Sequence, residues 1–168
     1  MTGASPPDGW SGRLAAAALS AGPIVLAALL GGAATTPNIA PWYAALAKPP
    51  LTPPSWVFGP AWTTLYVLMG IAFYRILRLD PATPGRSPAI ALFAAQLVLN
   101  AGWSVAFFAA QWPLFGLAVI LPLEALILAT LLAFRRLDRL AGACLIPYAL
   151  WVAFATYLNA GIWALNGF

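Results

Sequence analysis

The sequence predicts an all-α integral membrane protein, a bundle of five transmembrane helices with a long proline-rich loop between helices 1 and 2. Three observations carry that expectation. Of the 168 residues, 62% are hydrophobic and 7% charged, with a mean hydropathy of +0.87, whereas soluble domains carry roughly 25% charged residues. A water-soluble fold this short needs far more charge to cover its outside, so the apolar excess is expected to face lipid. Five apolar stretches also reach the about 20 residues that cross a hydrocarbon core of about 30 Å. Finally, a five-span map places Arg13, Arg75, Arg78, Arg86, Arg135, Arg136 and Arg139 on one side and only Lys48 on the other.

Residues 1–12, MTGASPPDGWSG, form a polar tail without a basic residue, ahead of a single membrane domain over 13–168. The apolar run that follows is too long for a signal-peptide core and is expected to be a retained span over 13–36. Residues 37–54, PNIAPWYAALAKPPLTPP, break the helical pattern at Lys48-Pro49-Pro50 and Pro53-Pro54. A stiff loop of this length beside a bundle can lie across its mouth as a lid or serve as a plain connector. Spans are expected over 55–79 and 87–110. A turn is required at Gln111-Trp112-Pro113, because the apolar run there is too long for one crossing and proline suits the first turn of a new helix. The fourth span covers 113–134. The cluster Arg135, Arg136, Leu137, Asp138, Arg139 marks a tight headgroup turn before the fifth, 139–165.

Lys and Arg prefer the cytoplasmic side of short loops, so the N-terminus is expected to be cytoplasmic and the C-terminus external. A bacterial plasma membrane suits this asymmetry, with an outer membrane left open. The net charge of +4 is scattered between apolar runs rather than gathered in a stripe, which points away from nucleic acid. Cys144 is the only cysteine and is expected to be an inert buried thiol.

Three spans carry aromatic and polar stripes at helical spacing: Trp62, Tyr66, Met69, Phe73; Gln96, Asn100, Trp103, Phe107; and Tyr148, Trp151, Ala155, Asn159. Amides in hydrocarbon must find partners, so Gln96, Asn100 and Asn159 are expected to face the interior. There they can serve a ligand or act as interhelical glue. Trp10, Trp112 and Trp163 lie near span ends and are assigned to the interfacial belt. Trp42, Trp56, Trp62, Trp103 and Trp151 remain as pocket candidates. Glu124, near the centre of the fourth span, is expected either to act functionally or to bond a carbonyl freed by Pro122, a neighbouring helix or a second subunit.

The absences exclude much chemistry. With no histidine and one cysteine, zinc sites, Ser-His-Asp triads, Cys-His dyads and histidine-ligated haem cannot be built. The only lysine lies in a loop, and no glycine-rich phosphate loop is present. No metal, cofactor or conventional catalytic residue is expected.

The segments WYAALAKPPLTPPSWVFGPAWTTLY (42–66), QLVLNAGWSVAFF (96–108) and PYALWVAFATYLN (147–159) together resemble the translocator protein family, also called tryptophan-rich sensory protein or peripheral benzodiazepine receptor, in its bacterial form. The resemblance implies a five-helix bundle, often a homodimer, that binds porphyrins and synthetic benzodiazepine-type ligands beneath the first loop. It implies a loop side of the pocket formed by Trp42, Tyr43, Pro53, Pro54 and Trp56, and helical walls of Asn100, Trp103, Phe107, Trp151, Ala155 and Asn159. Trp62 joins the set on helical spacing alone. Some bacterial members promote light-dependent porphyrin breakdown, for which Trp56 and Trp151 are the matching positions. The cholesterol-recognition pattern of animal members is absent after the last helix, since no Lys or Arg follows Tyr157. Three functions suit the sequence: a porphyrin-binding sensor or low-flux transporter, a photo-oxidative porphyrin-degrading protein, and a scaffold whose stripes only pack helices.

Overall fold

The computed structural model describes residues 9–167. Among them, five helices are long and apolar enough to cross a membrane: Trp10–Ile39, Ser55–Leu77, Arg86–Ala109, Pro113–Leu137 and Arg139–Asn166. The chain is an integral membrane helical bundle.

Helix α1, Trp10–Ile39, is longer than the sequence suggests at both ends. Residues 1–8 of the expected polar tail lie outside the described residues, while Trp10 to Gly12 form the first helical turn. At the other end the helix continues through Pro37, so the loop starts at 40 rather than 37. In hydrocarbon, unpaired backbone groups cost more than a single proline defect, which favours keeping the helix. The Asn38 side chain supports this end by donating to the Ala34 carbonyl at 3.0 Å, and it accepts from Gln111 Nε2 at 3.1 Å across the bundle. The buried face of α1 is made of small side chains at Ala16, Ser20, Ala27 and Gly31, with Ile24 among them. Leu14, Leu19, Leu26 and Leu29 on the outside are exposed and suited to lipid.

Residues 40–54 form the loop, with a 3-10 turn at Tyr43–Ala45 and a second turn, Ser55–Val57, leading into α2, Phe58–Leu77. Helix α3, Arg86–Ser104, widens into a π turn at Val105–Ala109. Helix α4, Pro113–Leu137, starts on its proline as expected. The fifth span is broken into α5, Arg139–Cys144, and α6, Ile146–Asn166. Pro147 has no N–H to give to the preceding turn, so the helix restarts there.

The packing partners define a ring: α1 lies between α2 and α3, α4 between α3 and the α5–α6 pair, and α2 closes the ring against α5. The end of the ring away from the loop is filled. Phe73, Phe93 and Phe134 stack in series at 4.3 and 5.6 Å. There Arg86 caps α2 by donating to the Ile76 and Leu77 carbonyls, which satisfies groups left open at a helix C-terminus.

Asp138 organises the α4–α5 turn. Its carboxylate accepts from the Leu140 and Ala141 N–H groups at 2.8 and 3.0 Å and pairs with Arg75 at 2.7 Å. Burial opposes its ionisation, but the Arg75 guanidinium and the two N–H groups outweigh burial and hold the carboxyl below the usual carboxylate range. Because the Arg75 side chain is 40% exposed, most of the stabilisation comes from the cap rather than the ion pair. Asp138→Ala is expected to cost about 1 to 2 kcal/mol. A depressed folded-state pKa means that this contribution is complete above about pH 4 and is lost as the pH falls further. Thermal midpoints of wild type and variant should therefore differ at neutral pH and converge in acid.

Candidate ligand-binding cavity

A cavity of about 370 Å³ opens beneath the loop between α1, α2, α3 and α6, within the size range of small-molecule pockets. It exists because small residues face large ones. Helix α1 contributes Gly31, Gly32 and Thr35, whereas Trp62 and Tyr66 come from α2, Trp103 from α3 and Trp151 from α6. Rigid rings cannot fill the space left by missing side chains on α1, so the gap stays open. The indole of Trp62 lies 5.5 Å from the Tyr66 ring, and Trp151 meets Phe58 edge-on at 6.0 Å. At the π turn, Ala110 donates to the Val105 carbonyl at 2.8 Å. Phe107 there is buried, stacked on Trp103 at 5.6 Å, while Phe108 lines the cavity.

The amides expected on the cavity stand behind its aromatic wall. Asn159 accepts from Trp103 Nε1 at 3.1 Å and donates to the Pro113 carbonyl at 2.8 Å. Asn100 accepts from the Tyr66 hydroxyl at 3.0 Å and donates to the Tyr148 oxygen at 3.1 Å. Each amide fixes the orientation of a ring that lines the cavity, Trp103 or Tyr66.

Of the twelve residues singled out from the sequence, Tyr43, Trp56, Trp62, Trp103, Trp151 and Ala155 line the cavity. The other six do not. Asn100, Asn159 and Phe107 are buried behind it. Trp42 packs edge-on against Phe107 and Phe108 at 5.4 and 6.3 Å, and Pro53 and Pro54 lie in the loop outside the lining. Trp56 sits at the mouth, 75% exposed. It and Trp151 also border a shallow groove on the outer face of α2 and α6, so these two indoles separate cavity from groove. Trp10, Trp112 and Trp163 are exposed.

The sequence reading assigned no part of α1 to the site. The signal was present in the run Gly31-Gly32-Ala33-Ala34-Thr35-Thr36, which leaves room at one depth of a span. Ser104 and Phe108 were also missed, the latter because the π turn shifts it out of ordinary helical register.

Helix α6 fastens the loop over the cavity. The Asn166 side chain accepts from the Ala47 N–H and donates to the Ala47 carbonyl, both at 2.9 Å. The Tyr157 hydroxyl donates to the Pro50 carbonyl at 2.9 Å, and Pro49 seats on Gly161. The Lys48 ammonium lies 4.9 Å over the Tyr43 ring, and burial pushes the Tyr43 phenol above its ordinary pKa.

The chain matches the TspO/MBR family over residues 19–164. It belongs to that family. All three quoted segments fall inside the matched region. It is 43% identical to the tryptophan-rich protein TspO of Chlorobaculum tepidum over 144 residues, 85% of this chain and 91% of that protein. It is 41% identical to the tryptophan-rich sensory protein of Cereibacter sphaeroides, across 74% of this chain and 77% of that one. The human translocator protein is 38% identical, across 74% of this chain and 75% of the human protein. For this TspO/MBR chain, family membership and the apolar spans agree on an integral membrane protein.

Proposed function

We propose that this TspO/MBR protein is a membrane receptor or sensor that binds porphyrin or a similar flat hydrophobic ligand in the cavity beneath the 40–54 loop. The observation that carries the reading is the convergence of Trp62, Trp103 and Trp151, from three helices, on one apolar space. Indoles offer large stacking faces, and a tetrapyrrole is planar and apolar in its centre with acidic groups at its edge. The open mouth at Trp56 leaves such an edge access to water. Without histidine, stacking replaces metal ligation. The loop acts as a lid, and the arginines at the opposite helix ends orient that end to the cytoplasm of a bacterial plasma membrane.

The test is a titration of the purified protein with protoporphyrin, followed by tryptophan fluorescence. Saturable quenching is expected, and Trp151→Ala should weaken affinity about five- to tenfold through loss of one stacking face. Quenching that never saturates, or that ignores the Trp151 substitution, sinks the reading. Illumination of the bound complex separates a sensor from a photodegrading protein, because only the latter bleaches porphyrin faster than free tryptophan does.

A further inference from the structure

The cavity borders a second space besides the loop. On the outer face of α2 and α6 lies a groove of about 440 Å³, and Trp56 and Trp151 line both it and the cavity. The two spaces therefore share a wall of indoles. The groove is otherwise lined by Val57, Pro60, Ala61, Thr64, Leu65 and Pro147. Neither proline has an N–H to offer, and the one hydroxyl, on Thr64, is already spent on the Pro60 carbonyl at 3.0 Å. Nothing in this lining replaces the hydration shell of a charged group. Ile146 and Leu150, next to Pro147 and Trp151 in the chain, are exposed, so the groove opens onto lipid. From Trp56 to Leu65 it follows the chain for about 14 Å, close to the depth of one leaflet.

The shared wall lies on a loosely packed seam of the ring. On the side away from the loop, α2 packs against the short helix α5. Beyond the break at Leu145, α2 and α6 meet mainly through rings, with Phe58 edge-on to Trp151 at 6.0 Å and Trp62 against Tyr148 at 6.3 Å. A turn of an indole about its side-chain torsions opens a passage there without moving a helix. Trp56, 75% exposed, has little packing to hold it in place.

We propose that the groove is a membrane-side entrance to the cavity for uncharged flat hydrophobic ligands, with Trp56 and Trp151 as its door. Its occupant is the cavity ligand itself, dissolved in the loop-side leaflet. A neutral ring system partitions into lipid and arrives at the depth of the groove. The indoles that meet it there also line the cavity, so it passes from one space to the other without entering water. A ligand with ionised carboxylates is held at the headgroups and uses the mouth beneath the loop. Door and loop thus sort ligands by charge. Ala61 and Thr64 shape the groove and take no part in the cavity lining.

The inference rests on the cavity reading above, and its test keeps the two apart. The full chain in lipid nanodiscs is loaded with protoporphyrin dimethyl ester, which carries no charge, or with protoporphyrin, whose carboxylates are free. Each is chased with an excess of its non-emissive copper complex, and release is read as loss of tryptophan-sensitised porphyrin emission. Thr64→Trp and Ala61→Phe fill the groove from adjacent turns of α2. Either should slow ester release about tenfold while leaving protoporphyrin release within about twofold of wild type. Ester association should slow equally, so the equilibrium affinity for each porphyrin stays that of wild type. Thr64 is exposed, and its variant is expected to keep the wild-type thermal midpoint. Ester release unchanged in both variants overturns the proposal, makes the groove a seat for lipid chains and leaves the cavity reading intact. Equal slowing of both porphyrins overturns the sorting by charge. Absence of saturable binding of either porphyrin to wild type overturns the entrance and the cavity reading together.

Discussion

Gly116→Val is expected to lower the stability of the detergent-solubilised protein by about 3 to 5 kcal/mol, seen as a large drop in its thermal midpoint. A Cβ at Gly116 would stand 2.7 Å from Asn159 Oδ1 and 3.1 to 3.2 Å from two atoms of Phe107. Asn159 cannot simply turn aside. Its oxygen holds the Trp103 indole and its nitrogen holds the Pro113 carbonyl, so any retreat leaves one buried group unpaired. Phe107 is equally confined, buried between Trp103 and Trp42. The damage reaches the cavity, because Trp103 is both the partner of Asn159 and part of the lining. Protoporphyrin affinity should therefore fall together with the midpoint. The double variant Gly116→Ala/Asn159→Ala lacks the 2.7 Å contact, so its loss should be smaller than the sum of the two single losses. A Gly116→Val protein within 1 kcal/mol of wild type would show that α4 and α6 do not meet as described.

The count of spans and the class of fold were legible because crossing a bilayer imposes a length and a composition on every segment, and loops betray themselves by charge. The ends of segments were less so. Pro37 reads as a breaker in water-soluble terms, yet the helix continues through it, and the fifth span divides at Leu145, just before Pro147, a break that counting apolar residues passes over. Helical spacing correctly grouped Trp62 with Tyr66 and Trp151 with Ala155, since these pairs share a helix. It could not say which members of a stripe meet space and which meet another side chain. Met69 and Phe73 continue the Trp62 stripe into the filled half of the bundle. Asn100 and Asn159 obey the rule that buried amides face inward, but their partners sit on other helices and no periodicity reveals them. The contribution of α1 was hidden for a different reason: its role is to lack side chains, and an absence leaves no stripe.

The same logic of missing side chains governs the loop, and Gly161→Leu is expected to speed release of bound protoporphyrin by tenfold or more. A Cβ at Gly161 would stand 2.6 Å from two atoms of the Pro49 ring. A proline ring has no rotamer with which to escape, so the loop must lift at its centre. Tyr157 and Asn166 lie one turn to either side of Gly161 on α6, and they hold Pro50 and Ala47 on either side of Pro49. Raising Pro49 therefore strains three hydrogen bonds at once. Losing two of them, at about 1 kcal/mol each, shifts the closed-to-open ratio of the loop by roughly thirtyfold. The groups that lose partners are already near water, so the fold itself should tolerate the change, with a midpoint shift well below that of Gly116→Val. Two measurements separate a lid from a connector. Hydrogen exchange at the Ala47 amide reports loosening directly, and stopped-flow dissociation reports whether the ligand senses it. Faster exchange with unchanged dissociation would mean that the loop is fastened to α6 but does not gate the cavity. Faster dissociation in step with faster exchange is the result expected of a lid whose latch is a glycine.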